Sequence, residues 1–192
     1  MAAMNERYSG VAMALHWAVA ILVLANLAIG LDFPEPAPGQ SFAPKPLMPL
    51  HITIGISVLL LSIARLAWRL THTPPPHAPG MRQWEKTLAS AAHWLFYGLI
   101  VGIPLTGWLV LSASSRTDWL KGVFGFQWPR VPFMHAVAPT QMQAVHDLLA
   151  QLHVFLATWI LISMLALHLG AIIKHHVFDK DPIIRRMWPF MK

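Results

Sequence analysis

Apolar residues run on along this chain more than they alternate. Four stretches, residues 11–31, 48–70, 88–111 and 145–173, carry little charge. Each is long enough as a helix to cross about 30 Å of hydrocarbon. Polar punctuation separates them. Asp32 and a loop with Pro34, Pro36, Pro38, Pro44, Pro46 and Pro49 close the first. Arg65, Arg69 and the run Thr73–Pro74–Pro75–Pro76 close the second, Trp84–Glu85–Lys86 precedes the third, and Lys174–His175–His176 follows the fourth. The short alternating segments of a membrane β-barrel are absent. The pattern predicts an all-α integral membrane protein, a bundle of four transmembrane helices forming a single domain over residues 1–192. The first stretch reads as a span and not a cleavable signal peptide, because its apolar run is too long and Phe33–Pro34–Glu35–Pro36 follows it.

Composition agrees. Hydrophobic residues make up 56% of the 192 and charged residues 11%, where a soluble domain carries about a quarter charged. The chain has no cysteine, which excludes disulfides, iron–sulfur clusters and thioether-linked haem. The formal net charge is +6, but the basic residues gather at span ends. That distribution points to membrane lipid headgroups and topology and away from nucleic acid. Arg7, Arg65, Arg69, Arg82, Lys86, Lys174, Lys180, Arg185, Arg186 and Lys192 fall on the side of the termini and the second loop; Lys45, Arg116, Lys121 and Arg130 fall on the other. Ten against four places both termini in the cytoplasm and, in a bacterium, makes this an inner-membrane protein with its first and third loops periplasmic. The third loop, 112–144, carries Trp119, Phe124, Phe126, Trp128 and Phe133. It reads either as an interfacial aromatic belt or as an amphipathic cap lining a site for a lipophilic substrate.

Histidine carries the chemistry. A titratable side chain inside hydrocarbon is costly and marks a functional position. His16 and His168 each lie about five residues from the inner ends of spans one and four, whereas His51 and His153 lie near the outer ends of spans two and four. Two pairs at two depths suggest two axial-ligand pairs, and so two b-type haems held non-covalently across the bilayer. On an unbroken α-helix His153 and His168 would be about 22 Å apart and about 60° apart in projection. Gly55, one turn from His51, and Gly170, just past His168, would leave room for a flat macrocycle or mark close helix packing. Arg65 and Arg69 end span two on the inner side. They would pair with propionates of the inner haem or snorkel to headgroups. His93 is level with His16 and His168 and competes for the inner haem. His146, one heptad before His153, reads as a residue at the loop edge. His72, His77 and His135 read as solvated, and His175 and His176 as interfacial. A haem-free metal or proton transporter is the reading from another class; the lack of Asp or Glu between the span ends speaks against it.

Several segments resemble the bacterial cytochrome b561 family. They are Arg7–Tyr8–Ser9 with His16–Trp17, Leu50–His51–Ile52–Thr53–Ile54–Gly55, Arg65–Leu66–Ala67–Trp68–Arg69, and Ala92–His93–Trp94 with Pro104–Leu105–Thr106–Gly107–Trp108. The ending His168, Lys174–His175–His176–Val177–Phe178, Asp181, Arg185–Arg186–Met187 completes the set. The resemblance covers nearly the whole chain in order. It implies a four-helix cytochrome with two b haems, ligated here by His16, His51, His153 and His168, and it implies that His93 is not an axial ligand. The family spacing in span four is nearer fourteen than the fifteen found here, which leaves His146 as the alternative to His153. The resemblance further implies exchange of electrons with the quinone pool, with ubiquinone as substrate and superoxide or a periplasmic redox protein as partner. The related reading is a membrane-anchor subunit of a periplasmic dehydrogenase or hydrogenase. Arg116, Lys121 and Arg130 would steer an anion toward the outer haem, and Trp119 and Trp128 would flank the quinone.

Overall fold

The computed structural model describes residues 7–33, 46–77, 80–114, 122–125, 127–181 and 183–188. Among them lie four helices long and apolar enough to cross a membrane, and no strand. Helix α1, Gly10–Leu31, begins where the Ser9 hydroxyl accepts the Ala12 N–H at 3.2 Å, an N-cap that satisfies one of the open donors of the first turn. Helix α2, Met48–Thr71, has a proline in its first turn, where the missing N–H costs nothing. Helix α3, Gln83–Ala113, starts earlier than hydropathy alone suggests. The Glu85 carboxylate accepts the Arg82 N–H at 2.8 Å, so the polar run Trp84–Glu85–Lys86 forms the first helical turn, with its acid at the positive end of the helix dipole.

Helix α4 runs continuously over Pro139–Phe178. It extends past the predicted span at both ends, because Pro139 can open a helix that Gln141 and Gln143 then carry above the apolar run. Forty residues at 1.5 Å each give about 60 Å, roughly twice the hydrocarbon thickness, so α4 projects from it. Its winding is not uniform. Leu156–Leu161 and Lys174–Phe178 are π turns. The first lies between His153 and His168 and corrects the spacing expected of an unbroken helix. A π bulge takes up one extra residue. Fifteen residues therefore advance as fourteen would, about 21 Å and roughly 40° in the opposite sense.

Helix α1 packs along α2, α2 along α3, and α3 along the outer half of α4. Two small clusters hold them. Ile52, Ile56 and Leu111 pack with Met48, Trp108 and Trp128 toward one end, which we call outer. Leu99, Ile103 and Leu161 pack with Val23, Phe96 and Met164 at mid-height. The inner half of α4, Ile162–Ile173, buries no residue; it touches α3 through Met164 on the mid-height cluster and His168 on Phe96. Ile21, Leu24, Leu60, Trp159 and Leu167 are exposed on the outside, as lipid-facing positions are in a solvent of acyl chains.

The outer loop folds down on α2 and α3. The Val123 N–H donates to Thr53 Oγ1 at 2.9 Å, Trp108 Nε1 donates to the Pro129 carbonyl at 2.8 Å, and the Val131 N–H donates to Ser112 Oγ at 3.1 Å. At the inner end a short helix α5, Ile183–Met187, clasps the amino-terminal segment. The Tyr8 N–H donates to the Arg186 carbonyl at 3.1 Å and Trp17 Nε1 to the Met187 carbonyl at 2.9 Å. The segments 7–9 and 183–188 thus lie at the same end of the bundle.

Candidate haem-binding site

The histidines sort into two groups. At the outer level, His51 sits in the first turn of α2 and His153 on α4, with ring centroids 6.3 Å apart and planes at 83°. Two imidazoles bonded to opposite faces of one first-row metal at about 2 Å each would hold their centroids about 6 Å apart. His153 Nδ1 lies 2.9 Å from the Ile103 carbonyl and 3.0 Å from Thr106 Oγ1. A carbonyl oxygen only accepts, so Nδ1 carries the proton and Nε2 the lone pair, which is the tautomer of a metal ligand. His51 stands against the Asn26 backbone carbonyl, and its Nδ1 is buried without a hydrogen bond of good geometry. Phe33 contacts its ring edge-on at 5.3 Å.

Glycine clears the space for these rings, but not the glycines singled out from sequence. A Cβ on Gly30 would lie 3.2 Å from His51 Cε1, and one on Gly107 would lie 3.0 Å from His153 Cε1. A Cβ on Gly55 would meet only Asn26 Nδ2 at an ordinary 3.5 Å, and one on Gly170 would meet nothing. Gly55 therefore serves the α1–α2 contact and Gly170 faces open space. No sequence signal separates Gly30 and Gly107 from packing glycines. Their role depends on which neighbouring helix brings a histidine.

At the inner level, His16 on α1 interacts electrostatically with Arg65, His168 and His93. The His93 and His168 ring centroids are 6.5 Å apart, and Phe96 lies 5.4 Å from His168. Arg65 stacks its guanidinium 5.4 Å from the Tyr97 ring centroid, and Arg69 lies within electrostatic reach of His93. Both arginines thus border the inner histidines. His16 Nδ1 is buried without a partner. This level coincides with the half of α4 that buries no residue. Helical bundles place cofactors in their interiors, held by side chains from facing helices. The donor set and the ring separation fit b-type haem.

His146 is a correction. It is buried inside α4, not at a loop edge, and its Nδ1 lies 3.0 Å from the Asp147 carboxylate. His175, read as interfacial, is 8% exposed, and its Nδ1 lies 2.7 Å from Asp179 and 3.7 Å from Asp181. Lys174 shares the Asp179 carboxylate at 2.7 Å and also pairs with Glu85. The hydrogen bond from Lys174, with the charges of Lys174 and His175, holds the Asp179 carboxyl below the usual carboxylate range. This knot ties the inner ends of α3 and α4 together. Sequence reading passed over it because its members are spread from 85 to 181.

Trp128 packs on the outer cluster, and the Arg130 guanidinium donates to the Ser114 carbonyl at 2.8 Å. Arg116, Trp119, Lys121 and Phe126 lie outside the described residues.

A four-helix membrane bundle with histidines at two depths defines a class, the membrane-bound b-type cytochromes. Within that class the chain belongs to the prokaryotic cytochrome b561 family, whose model matches residues 7–190. It is 31% identical over 185 residues to cytochrome b561 homolog 2 of Escherichia coli (strain K12), covering 95% of this chain and 91% of that protein. It is 28% identical over 191 residues to the probable superoxide oxidase CybB of Yersinia pestis, covering 97% and 98%. With cytochrome b561 homolog 1 of Escherichia coli (strain K12) it shares 26% over 187 residues, covering 97% and 99%. The family implies b-type haem and a multi-pass electron-transfer role in a membrane, and this sets aside the haem-free transporter.

Proposed function

We propose that this protein is a two-haem cytochrome of the bacterial inner membrane, with both termini in the cytoplasm, that passes electrons between a donor on the outer side and the quinone pool. The observation that carries the reading is the pairing of His51 with His153 at one level while His16, His93 and His168 gather at the other. His51 and His153 hold the outer haem, and His16 and His168 the inner one. The π turn between His153 and His168 takes up the residue by which this chain exceeds the family spacing, so nothing calls for moving the outer ligand to His146. Iron saturated by two imidazoles transfers electrons and binds no O₂. The protein supplies ligation, burial and charge. Arg65 and Arg69 border the inner histidines and would neutralise propionates there.

The substrate proposed is superoxide, with ubiquinone as acceptor. Two superoxide anions are oxidised to O₂ for each ubiquinone reduced to ubiquinol, with two protons taken up. Basic residues of the outer loop, Arg130 among them, favour an anion on that side. Trp128 offers an aromatic face for the quinone ring near the outer end. The similarity to a probable superoxide oxidase supports the choice.

The purified protein, supplied with a superoxide-generating system and a soluble ubiquinone, is expected to form quinol several times faster than the spontaneous reaction. Raising the ionic strength should slow the rate, because a steered anion is screened. Quinol formation no faster than with the haem-free protein would rule out superoxide as donor.

A further inference from the structure

The segment Pro104–Leu105–Thr106–Gly107 of α3 makes a socket for one imidazole. Pro104 lies inside the helix and removes one N–H from its ladder. The acceptor it frees is the Ile100 carbonyl, one turn earlier. The Ile103 carbonyl, at the peptide bond that enters the proline, has two side-chain partners of its own. Thr106 Oγ1 lies 2.7 Å from the Ile103 carbonyl, and His153 Nδ1 lies 2.9 Å from the same oxygen and 3.0 Å from Thr106 Oγ1. Gly107 leaves the face of that ring uncovered, since a Cβ would stand 3.0 Å from Cε1 and 3.3 Å from Nδ1. The outer histidine of α4 is therefore held from the far side of the ring by a three-membered hydrogen-bond ring, whereas His51 faces a backbone carbonyl alone, that of Asn26.

We infer that Thr106 is the positioning residue of the outer-haem ligand: with the Ile103 carbonyl it fixes the His153 ring as an Nε2 donor and raises its electron donation. The inference rests on the ligand assignment above. Its physical basis is the coupling of a ligand's basicity to the partner of its other nitrogen. The Thr106 hydroxyl donates to Ile103 and offers a lone pair to the His153 Nδ1–H. A proton drawn toward oxygen leaves more electron density on Nε2, which favours ferric over ferrous iron. His51 faces the Asn26 backbone carbonyl with no hydroxyl beside it, so the tuning by a hydroxyl falls on one side of the outer site.

The test is a redox titration of the full-length purified protein followed by visible spectroscopy, with Thr106→Val and Thr106→Ser. Thr106→Val keeps the shape and removes the hydroxyl. The expected result is that one of two haems titrates at higher potential while the other is unmoved. Loss of one hydrogen bond corresponds to a threefold to tenfold shift of the ferric–ferrous equilibrium, the upper end being about 59 mV for one electron. Thr106→Ser restores the hydroxyl and should titrate as the native protein does. If Thr106→Val sheds the outer haem, Thr106→Ser with both haems and native potentials carries the same conclusion. A Thr106→Val curve superimposable on the native one, or a Thr106→Ser curve shifted as far as that of Thr106→Val, would overturn the inference. Failure of the ligand assignment itself would look different: His153→Ala would retain both haems.

Discussion

Replacing His51 by alanine is expected to halve the haem content, from two per chain to about one, with the four-helix bundle intact. His51 lies in the first turn of α2, where its ring is wedged between Gly30, Phe33 and His153. Its side chain donates no hydrogen bond that the fold needs, since Nδ1 lacks one of good geometry. The substitution therefore removes a ligand and little else. Disturbing an outer-shell partner of a bound metal already costs about 10–100-fold in affinity, and loss of a direct axial bond costs more. His153→Ala should give the same one-haem protein, because the two residues serve one iron. The double variant should be no worse than either single one, as residues acting as a unit are non-additive. Pyridine haemochrome content per chain reads the result. A double variant with no haem would show that His51 and His153 serve different irons.

The inner level yields the second large effect, and it separates two histidines that the structure places side by side. His16→Ala should remove the inner haem, leaving one per chain. His93→Ala should leave both. His93 and His168 stand on helices of neighbouring position, with ring centroids 6.5 Å apart, so distance alone does not choose between His93 and His16. The proposed pairing takes His16, which comes from α1, a helix that makes little contact with the inner half of α4 among the described residues. A macrocycle held between imidazoles on α1 and α4 would leave His93 at its edge, close to Arg65 and Arg69. In that place His93 bonds or orders groups at the rim, and its loss would shift the inner-haem potential without emptying the site. One haem in His93→Ala and two in His16→Ala would transfer the ligand to α3.

Much of this was legible in the chain. Hydropathy sufficed for the spans because nothing else in a protein needs twenty apolar residues in a row. Histidine was legible because its cost in hydrocarbon makes its depth meaningful, and depth is a matter of counting residues along a helix. What counting cannot deliver is rotation. Leu156–Leu161 reads as an ordinary apolar run, yet it winds as a π turn and moves His168 by about one residue's rotation relative to His153. Clearance was equally hidden, since Gly30 and Gly107 matter only through the helices that face them. Gly55, chosen for its nearness in sequence to His51, packs against Asn26. The start of α4 at Pro139 was missed because hydropathy locates the part of a helix in lipid and not the part above it. The knot of Glu85, Lys174, His175, Asp179 and Asp181 joins residues that sequence separates widely, and charge at a span end reads as topology whether or not it is paired.

The central claim is that one chain holds two haems, each between two histidines. It is tested most directly by the dithionite-reduced minus air-oxidised visible spectrum of the detergent-purified protein, with pyridine haemochrome to count haem per chain. Sharp low-spin b-type bands and two haems per chain are the expected result. A protein that comes out colourless, from cells supplied with enough haem to fill it, or one with a single haem that neither His51→Ala nor His153→Ala removes, would contradict it.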